Sequence, residues 1–176
     1  MVPIRGNVDS RLRRLAEGEC DALVLARAGL ERLGRADEGA PLGTDEMVPA
    51  PGQGALALET RSGDGRAQAA VAPLGDRAAL ACLRAERALS AALGATCRTP
   101  LGAHAHASGD GLLALHAFVG LPDGSEWARD ALQGDADDPE ALGRAVAERL
   151  LAAGAGDLLR VAEQTAAELV NEGTVR

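Results

Sequence analysis

The stretch Leu93-Gly94-Ala95-Thr96-Cys97-Arg98-Thr99-Pro100-Leu101-Gly102 separates a long alanine-leucine helix pattern from a strand pattern. Glycines bracket it, Pro100 stiffens it, and Arg98 sets a positive charge beside a cysteine. A helix that passes through one tight turn into a strand points to helices layered on a sheet. Cys97 has two readings at this stage. It is a small residue filling a turn, or a reactive thiol or attachment point favoured by the neighbouring cation.

Downstream lie three strand patterns, Leu101–Ala107, Leu112–Val119 and Ser125–Leu132. Ser108-Gly109-Asp110-Gly111 and Leu121-Pro122-Asp123-Gly124 join them with hairpin chemistry, which predicts a three-stranded antiparallel meander. Asp138-Pro139-Glu140 starts a helix, with aspartate as cap and proline at the first position. It runs to about Ala153 with Leu142, Val146 and Leu150 on one face, and a last helix covers Asp157–Val170. His104 and His106 share one face of the first strand. A two-residue turn puts His116 on the other face, whereas a slip of one residue brings it opposite His104. No carboxylate or thiolate is arranged to complete a metal site, so none is assigned.

Upstream, the helix Asp76–Leu93 carries Ala79, Cys82, Glu86, Leu89 and Leu93 on a packing seam, with Leu80 and Leu83 alongside. Cys82 reads as core, and a glutamate on that seam needs a partner, for which an arginine is the natural candidate. Before it, residues 60–75 are charged and glycine-rich and read as a boundary. Ala55–Glu59 reads as a strand fed by Met47-Val48-Pro49-Ala50-Pro51-Gly52-Gln53-Gly54. Two prolines and two glycines there dictate a specific path. Gln53 either turns its amide toward a ligand or ties down the loop's own backbone.

The first 35 residues read as strand end, helix, strand, helix. Asp9 or Ser10 caps the helix Arg11–Glu17, Asp21–Ala26 is an apolar strand of the parallel-sheet kind, and Arg27–Leu33 closes at Gly34. This order marks an open α/β layer, which binds ligands at strand ends and helix starts. Arg5, Arg11 and Arg32 are candidates to hold carboxylates or phosphates with the guanidinium fork. Arg13 and Arg14 read as solvated helix surface. Because the chain opens on Val2-Pro3-Ile4 as if at the end of a strand, it is expected to be the C-terminal part of something longer.

Of 176 residues, 47% are hydrophobic, mostly alanine and leucine, and Phe118 and Trp127 are the only aromatics. Base-stacking platforms are therefore unavailable, and a net charge of -8 argues against a general nucleic-acid binder. Cys20, Cys82 and Cys97 share no pairing motif, which fits a reducing compartment. No membrane span or signal peptide is seen, so a cytoplasmic location is expected.

Five ordered blocks resemble one family. They are Arg5–Leu12, Asp21-Ala22 with Ala28–Leu33, Pro49–Ala55, Arg84–Ala88 and Gly94–Gly102. The family is hydroxymethylbilane synthase, also called porphobilinogen deaminase, and the resemblance runs from residue 4 to about residue 155. It implies a transferase of tetrapyrrole (haem) biosynthesis. That enzyme joins four porphobilinogen units, with loss of ammonia, on a dipyrromethane cofactor attached by a thioether to one cysteine. Cys97 matches that cysteine. Arg5 and Arg11 match cofactor-binding positions, and Arg32 and Gln53 match substrate-binding ones. The family's catalytic aspartate belongs to the N-terminal part, so no catalytic residue is assigned in this chain.

The implied fold is α/β: a partial periplasmic-binding-protein-like domain, then a small α+β domain with a three-stranded antiparallel sheet and helices. Residues 1–45 would be the C-terminal half of domain 2 and residues 46–72 a crossover belonging with domain 1. Residues 76–176 would be domain 3, carrying the cysteine. The implied partners are porphobilinogen, the growing polypyrrole chain and the missing N-terminal domain, in a monomer without nucleic acid or membrane. The chain alone is expected to be inactive. The rival reading is a non-catalytic anion-binding or interaction fragment of the same family.

Overall fold

The computed structural model of the chain describes residues 4–173, with side chains as far as Thr165. Most of the apolar stub at Val2–Ile4 lies outside them. The described chain forms two compact units, one ending at Gly43 and one beginning at Thr44.

In the first unit, helix α1 spans Val8–Ala16 and helix α2 spans Arg27–Arg32. The cap of α1 is Asn7, whose side chain accepts from the Ser10 amide at 2.8 Å. Asn7 supersedes Asp9 and Ser10, which both lie inside the helix. The two helices each bury one leucine, Leu12 and Leu30. Asp21–Ala26, expected as a strand, forms no sheet, and Val24 is 57% exposed. A strand holds only when a neighbour takes up its ladder hydrogen bonds, and no strand lies among the described residues of this unit.

The second unit holds the sheet. Strands β1 (Leu101–Gly109), β2 (Leu112–Gly120) and β3 (Trp127–Asp135) pair antiparallel in the order β1-β2-β3, as the hairpin signals predict. Helix α4 spans Arg77–Ala92 behind an Asp76 cap that accepts from the amides of Ala78 and Ala79. Helix α5 spans Pro139–Ala152 behind an Asp138 cap, and helix α6 spans Ala155–Gly173. The short helix α3, Gly65–Val71, falls in the segment read as a boundary. Ala55–Glu59, expected as a strand, is also unpaired, with Leu56 86% exposed.

The core is aliphatic and contiguous. Leu89 of α4, Leu113, Leu115 and Val119 of β2, and Val146 and Leu150 of α5 are almost wholly buried. Helices α4 and α5 approach so closely at Gly143 that a Cβ there would lie 2.3 Å from the Ala85 carbonyl oxygen. Cys82 packs half-buried against this core, as its place on the seam implies. Leu80, expected alongside the seam, instead faces outward at 54% exposure, because the helix turns Ala85 and Leu89 inward.

The first hairpin resolves the histidine question. Asp110 and Gly111 form its two-residue turn with positive φ at both, as an Asp-Gly turn of this kind requires. A bulge between Ala107 and Gly109 then shifts the register by one residue and pairs His104 with His116. All three histidines therefore share one face, and the two-face arrangement is not the one adopted.

Candidate functional site

The cysteine turn is built from the helix end outward. After the C-cap Leu93, Gly94 takes φ 63°, the Ala95 amide donates to the Ser90 carbonyl and the Gly94 amide to the Ala91 carbonyl. That pair of bonds is a Schellman stop, for which glycine is suited because it lacks a Cβ. The next four residues close on themselves. The Thr99 amide donates to the Thr96 carbonyl at 3.1 Å, and the Thr96 amide donates back to the Thr99 hydroxyl at 2.8 Å. The Arg98 amide reaches the Thr96 hydroxyl at 3.4 Å. Cys97 and Arg98 thus occupy the tip of a turn clamped by two threonines, and neither Ala95 nor Thr96 takes a positive φ.

Cys97 is exposed, whereas Cys20 and Cys82 are half-buried. Burial pushes the Cys82 thiol up, and the nearby Glu86 carboxylate adds to the effect. A thiolate is therefore harder to form at Cys82, and Cys97 is the most exposed of the three cysteines. An exposed sulfur on a fixed turn, with a guanidinium one residue away, fits a tethered group that carries carboxylates.

The loop holding Gln53 is fastened to this same unit. Pro49 accepts from the Ala103 amide of β1 at 2.8 Å, and the Gly52 amide donates to Glu86 Oε2 at 2.7 Å. Glu86 is 6% exposed, and its other oxygen accepts from the Ala105 amide at 2.8 Å. The partners of this buried carboxylate are therefore two backbone amides rather than an arginine. Backbone N–H groups at a sheet edge need an acceptor, and Glu86 supplies one from the adjacent helix. Gln53 uses Oε1 to accept from the Ala50 amide at 3.0 Å, so it ties down its own loop.

In the first unit the arginines divide cleanly. Arg13 pairs with Glu17, Arg14 with Glu19, Arg27 with Glu31, and Arg35 with both Asp9 and Glu38. None of the ion pairs among the described residues involves Arg5, Arg11 or Arg32. Arg5 and Arg32 are exposed, and half-buried Arg11 donates from Nε to the Gly6 carbonyl at 2.8 Å. The three arginines singled out by position are thus the three of this unit without a carboxylate partner among the described residues. Sequence reasoning missed the threonine clamp, although the symmetric Thr96-Cys97-Arg98-Thr99 pattern carries it. Among the described residues, no helix is long and apolar enough to cross a membrane.

Residues 1–69 match the family model described as "Porphobilinogen deaminase, dipyromethane cofactor binding domain". Residues 80–152 match "Porphobilinogen deaminase, C-terminal domain". The chain is 52% identical over 158 residues to a porphobilinogen deaminase of Thiobacillus denitrificans, covering 89% of this chain and 51% of that protein. It is 48% identical over 158 residues to one from Chromobacterium violaceum, covering 89% of this chain and 51% of the relative. A Roseiflexus castenholzii relative of the same name is 48% identical over 160 residues, 90% of this chain and 52% of its own. The chain spans about half the length of the curated relatives it matches.

Proposed function

Because the chain belongs to the porphobilinogen deaminase family, we propose that it is the C-terminal part of a transferase. The whole enzyme joins four porphobilinogen units into hydroxymethylbilane on a cysteine-linked dipyrromethane. The single observation that carries this reading is the exposed Cys97 at the tip of a turn clamped by Thr96 and Thr99. When bound through a thioether to Cys97 Sγ, the dipyrromethane supplies the pyrrole carbon to which units add.

The chain's own residues bind and orient. Each pyrrole ring of such a chain bears carboxylates, and Arg5 and Arg11 receive those of the cofactor while Arg32 receives those of substrate. Their lack of an internal acid partner leaves their charge available for this, and bidentate guanidinium–carboxylate bonds supply both attraction and orientation. The Gln53 loop is held by Glu86 and by the Ala103 amide, which donates to the Pro49 carbonyl. The proton-handling aspartate belongs to the part of the enzyme outside this chain.

By this reading residues 1–45 complete a periplasmic-binding-protein-like domain 2 and residues 46–72 cross toward domain 1, while residues 76–176 form domain 3. The exposed apolar residues of the two unpaired segments, Val24, Leu56 and Leu58, support that assignment, since each would be covered by sheet partners in such domains. A monomeric, cytoplasmic enzyme follows from the same reading.

Intact-mass analysis of the full-length protein tests it. A dipyrromethane-sized adduct mapping to Cys97 is expected, and it disappears in Cys97→Ser together with activity. Active enzyme without that adduct would sink the attachment. The 176-residue chain alone is expected to leave porphobilinogen unconverted, and porphyrin formation by it would overturn the assignment of the missing aspartate.

A further inference from the structure

Three histidines stand together on the face of the sheet that points away from the helices. On β1, Leu101, Ala103 and Ala105 face the core, so Gly102, His104 and His106 face the other way. On β2, Leu113, Leu115, Ala117 and Val119 face the core, and Ala114, His116 and Phe118 share the histidine face. His104 lies directly opposite His116. The His104 and His106 ring centres are 5.8 Å apart, and those of His106 and His116 are 5.5 Å apart.

We propose that His104, His106 and His116 form a binding site for a borderline divalent transition metal such as zinc or nickel, through three imidazole nitrogens with water completing the shell. Two residues at i and i+2 on one strand, plus the cross-strand partner of one of them, place three side chains around a common point above the sheet. Imidazole nitrogens bind zinc at about 2.0–2.1 Å, which sets ring centres roughly 5–6 Å apart around a shared ion. The observed separations fall in that range. An all-imidazole donor set selects zinc, nickel or copper over magnesium or calcium.

As the rings stand, stacked within 24° and 26° of parallel, no three donor atoms among the described residues converge on one point. Closing the site takes only rotation about side-chain torsions, because the ladder already fixes the three backbone positions. The last torsion of histidine is broad and rotates readily. Exposure of His106, with His104 and His116 half-buried, leaves an open approach for a hydrated ion.

His104 Nδ1 stands 4.0 Å from Glu86 Oε1, beyond hydrogen-bond reach, and both Glu86 oxygens already accept from backbone amides. Burial lowers the pKa of His104, with Glu86 opposing and the neighbouring His106 and His116 adding to the decrease. Among charged groups, Glu86 of α4 lies near His104, and Arg129 and Asp130 of β3 line a pocket with His116. Arg129 already donates to the Asp45 carbonyl, and Asp130 accepts from Arg149. This inference rests on the sheet register and the placement of the three rings, and stands apart from the transferase reading.

Calorimetric titration of the 176-residue chain with zinc chloride, and separately with nickel chloride, provides the test. One-to-one saturable binding is expected at pH about 7.5, strongly weakened at about 5.5 where imidazoles ordinarily take up protons. His106→Ala and His116→Ala should each weaken binding by at least about tenfold, since loss of merely an outer-shell partner costs that much. His106 is exposed, so its replacement leaves the fold intact, and a far-ultraviolet spectrum checks both variants. Zinc should also shift the ring nitrogen resonances of all three histidines. No saturable uptake, unchanged affinity in the two variants, or loss of binding in Cys97→Ser with the histidine variants unaffected would each overturn the site.

Discussion

The two units hold themselves together by different means. Among the described residues up to Gly43 only Leu12 and Leu30 are buried, and ion pairs and caps connect the rest of the helices. From Thr44 onward a continuous aliphatic core joins α4, α5, α6 and the sheet. Exposed ion pairs contribute little, so the first unit has low intrinsic stability and the second a high one. The difference teaches where each function sits. Under the proposed function, the arginines assigned to carboxylates lie in the region with little core, and the cysteine assigned to the cofactor projects from the unit with the continuous core.

The sharpest way to break this contrast is at Gly143. In Gly143→Val the new side chain meets the Ala85 carbonyl and the Ala88 side chain. Separation of α4 from α5 should then cost about 3 kcal/mol in urea unfolding. A loss below about 1 kcal/mol would mean that the two helices do not depend on this close approach.

A smaller effect is expected from Glu86→Ala, which leaves the amides of Gly52 and Ala105 without their acceptor. A cost of about 2 kcal/mol follows from two unsatisfied backbone donors. Hydrogen exchange at Gly52 and Ala105 should speed up, while the amides of α1 in the other unit remain as before. Equal acceleration in both units would show that they unfold as one.

The smallest effect belongs to Arg149 and Asp130, paired at 2.6 Å across α5 and β3. The hydrogen bond from Arg149 holds the Asp130 carboxyl below the usual carboxylate range. Its folded pKa is depressed, so the stabilisation is complete above about pH 3.9 and fades as pH falls through the folded value. Wild type and Arg149→Met should therefore differ slightly in Tm at neutral pH and coincide near the acid limit. A difference that persists there would assign the effect to packing rather than charge.

Local chemistry made much of the second unit legible. Asp76 and Asp138 mark helix starts because their side chains cap orphan amides, and Asp-Gly marks the first hairpin because both turn residues need positive φ. The candidate site's placement was legible in part. The turn that exposes Cys97 and the loop and helix-end places of Arg5, Arg11 and Arg32 were legible, although not what they bind. The threonine clamp was not, since it depends on two side chains closing on each other's backbone. The strand readings at Asp21–Ala26 and Ala55–Glu59 failed because composition reports a segment's preference, not the presence of a neighbour to pair with it.

The sequence by itself determined the meander, the Asp138 cap, the aliphatic character of the core and the family, because these follow from local patterns and from ordered blocks. Tertiary structure alone decided the partners of Glu86, which are amides from two separate segments brought to one sheet edge. It also decided the face of His116. One extra residue in β1, taken up by a bulge, exchanges every side-chain direction beyond it, and a period-two pattern cannot say which strand absorbs that residue.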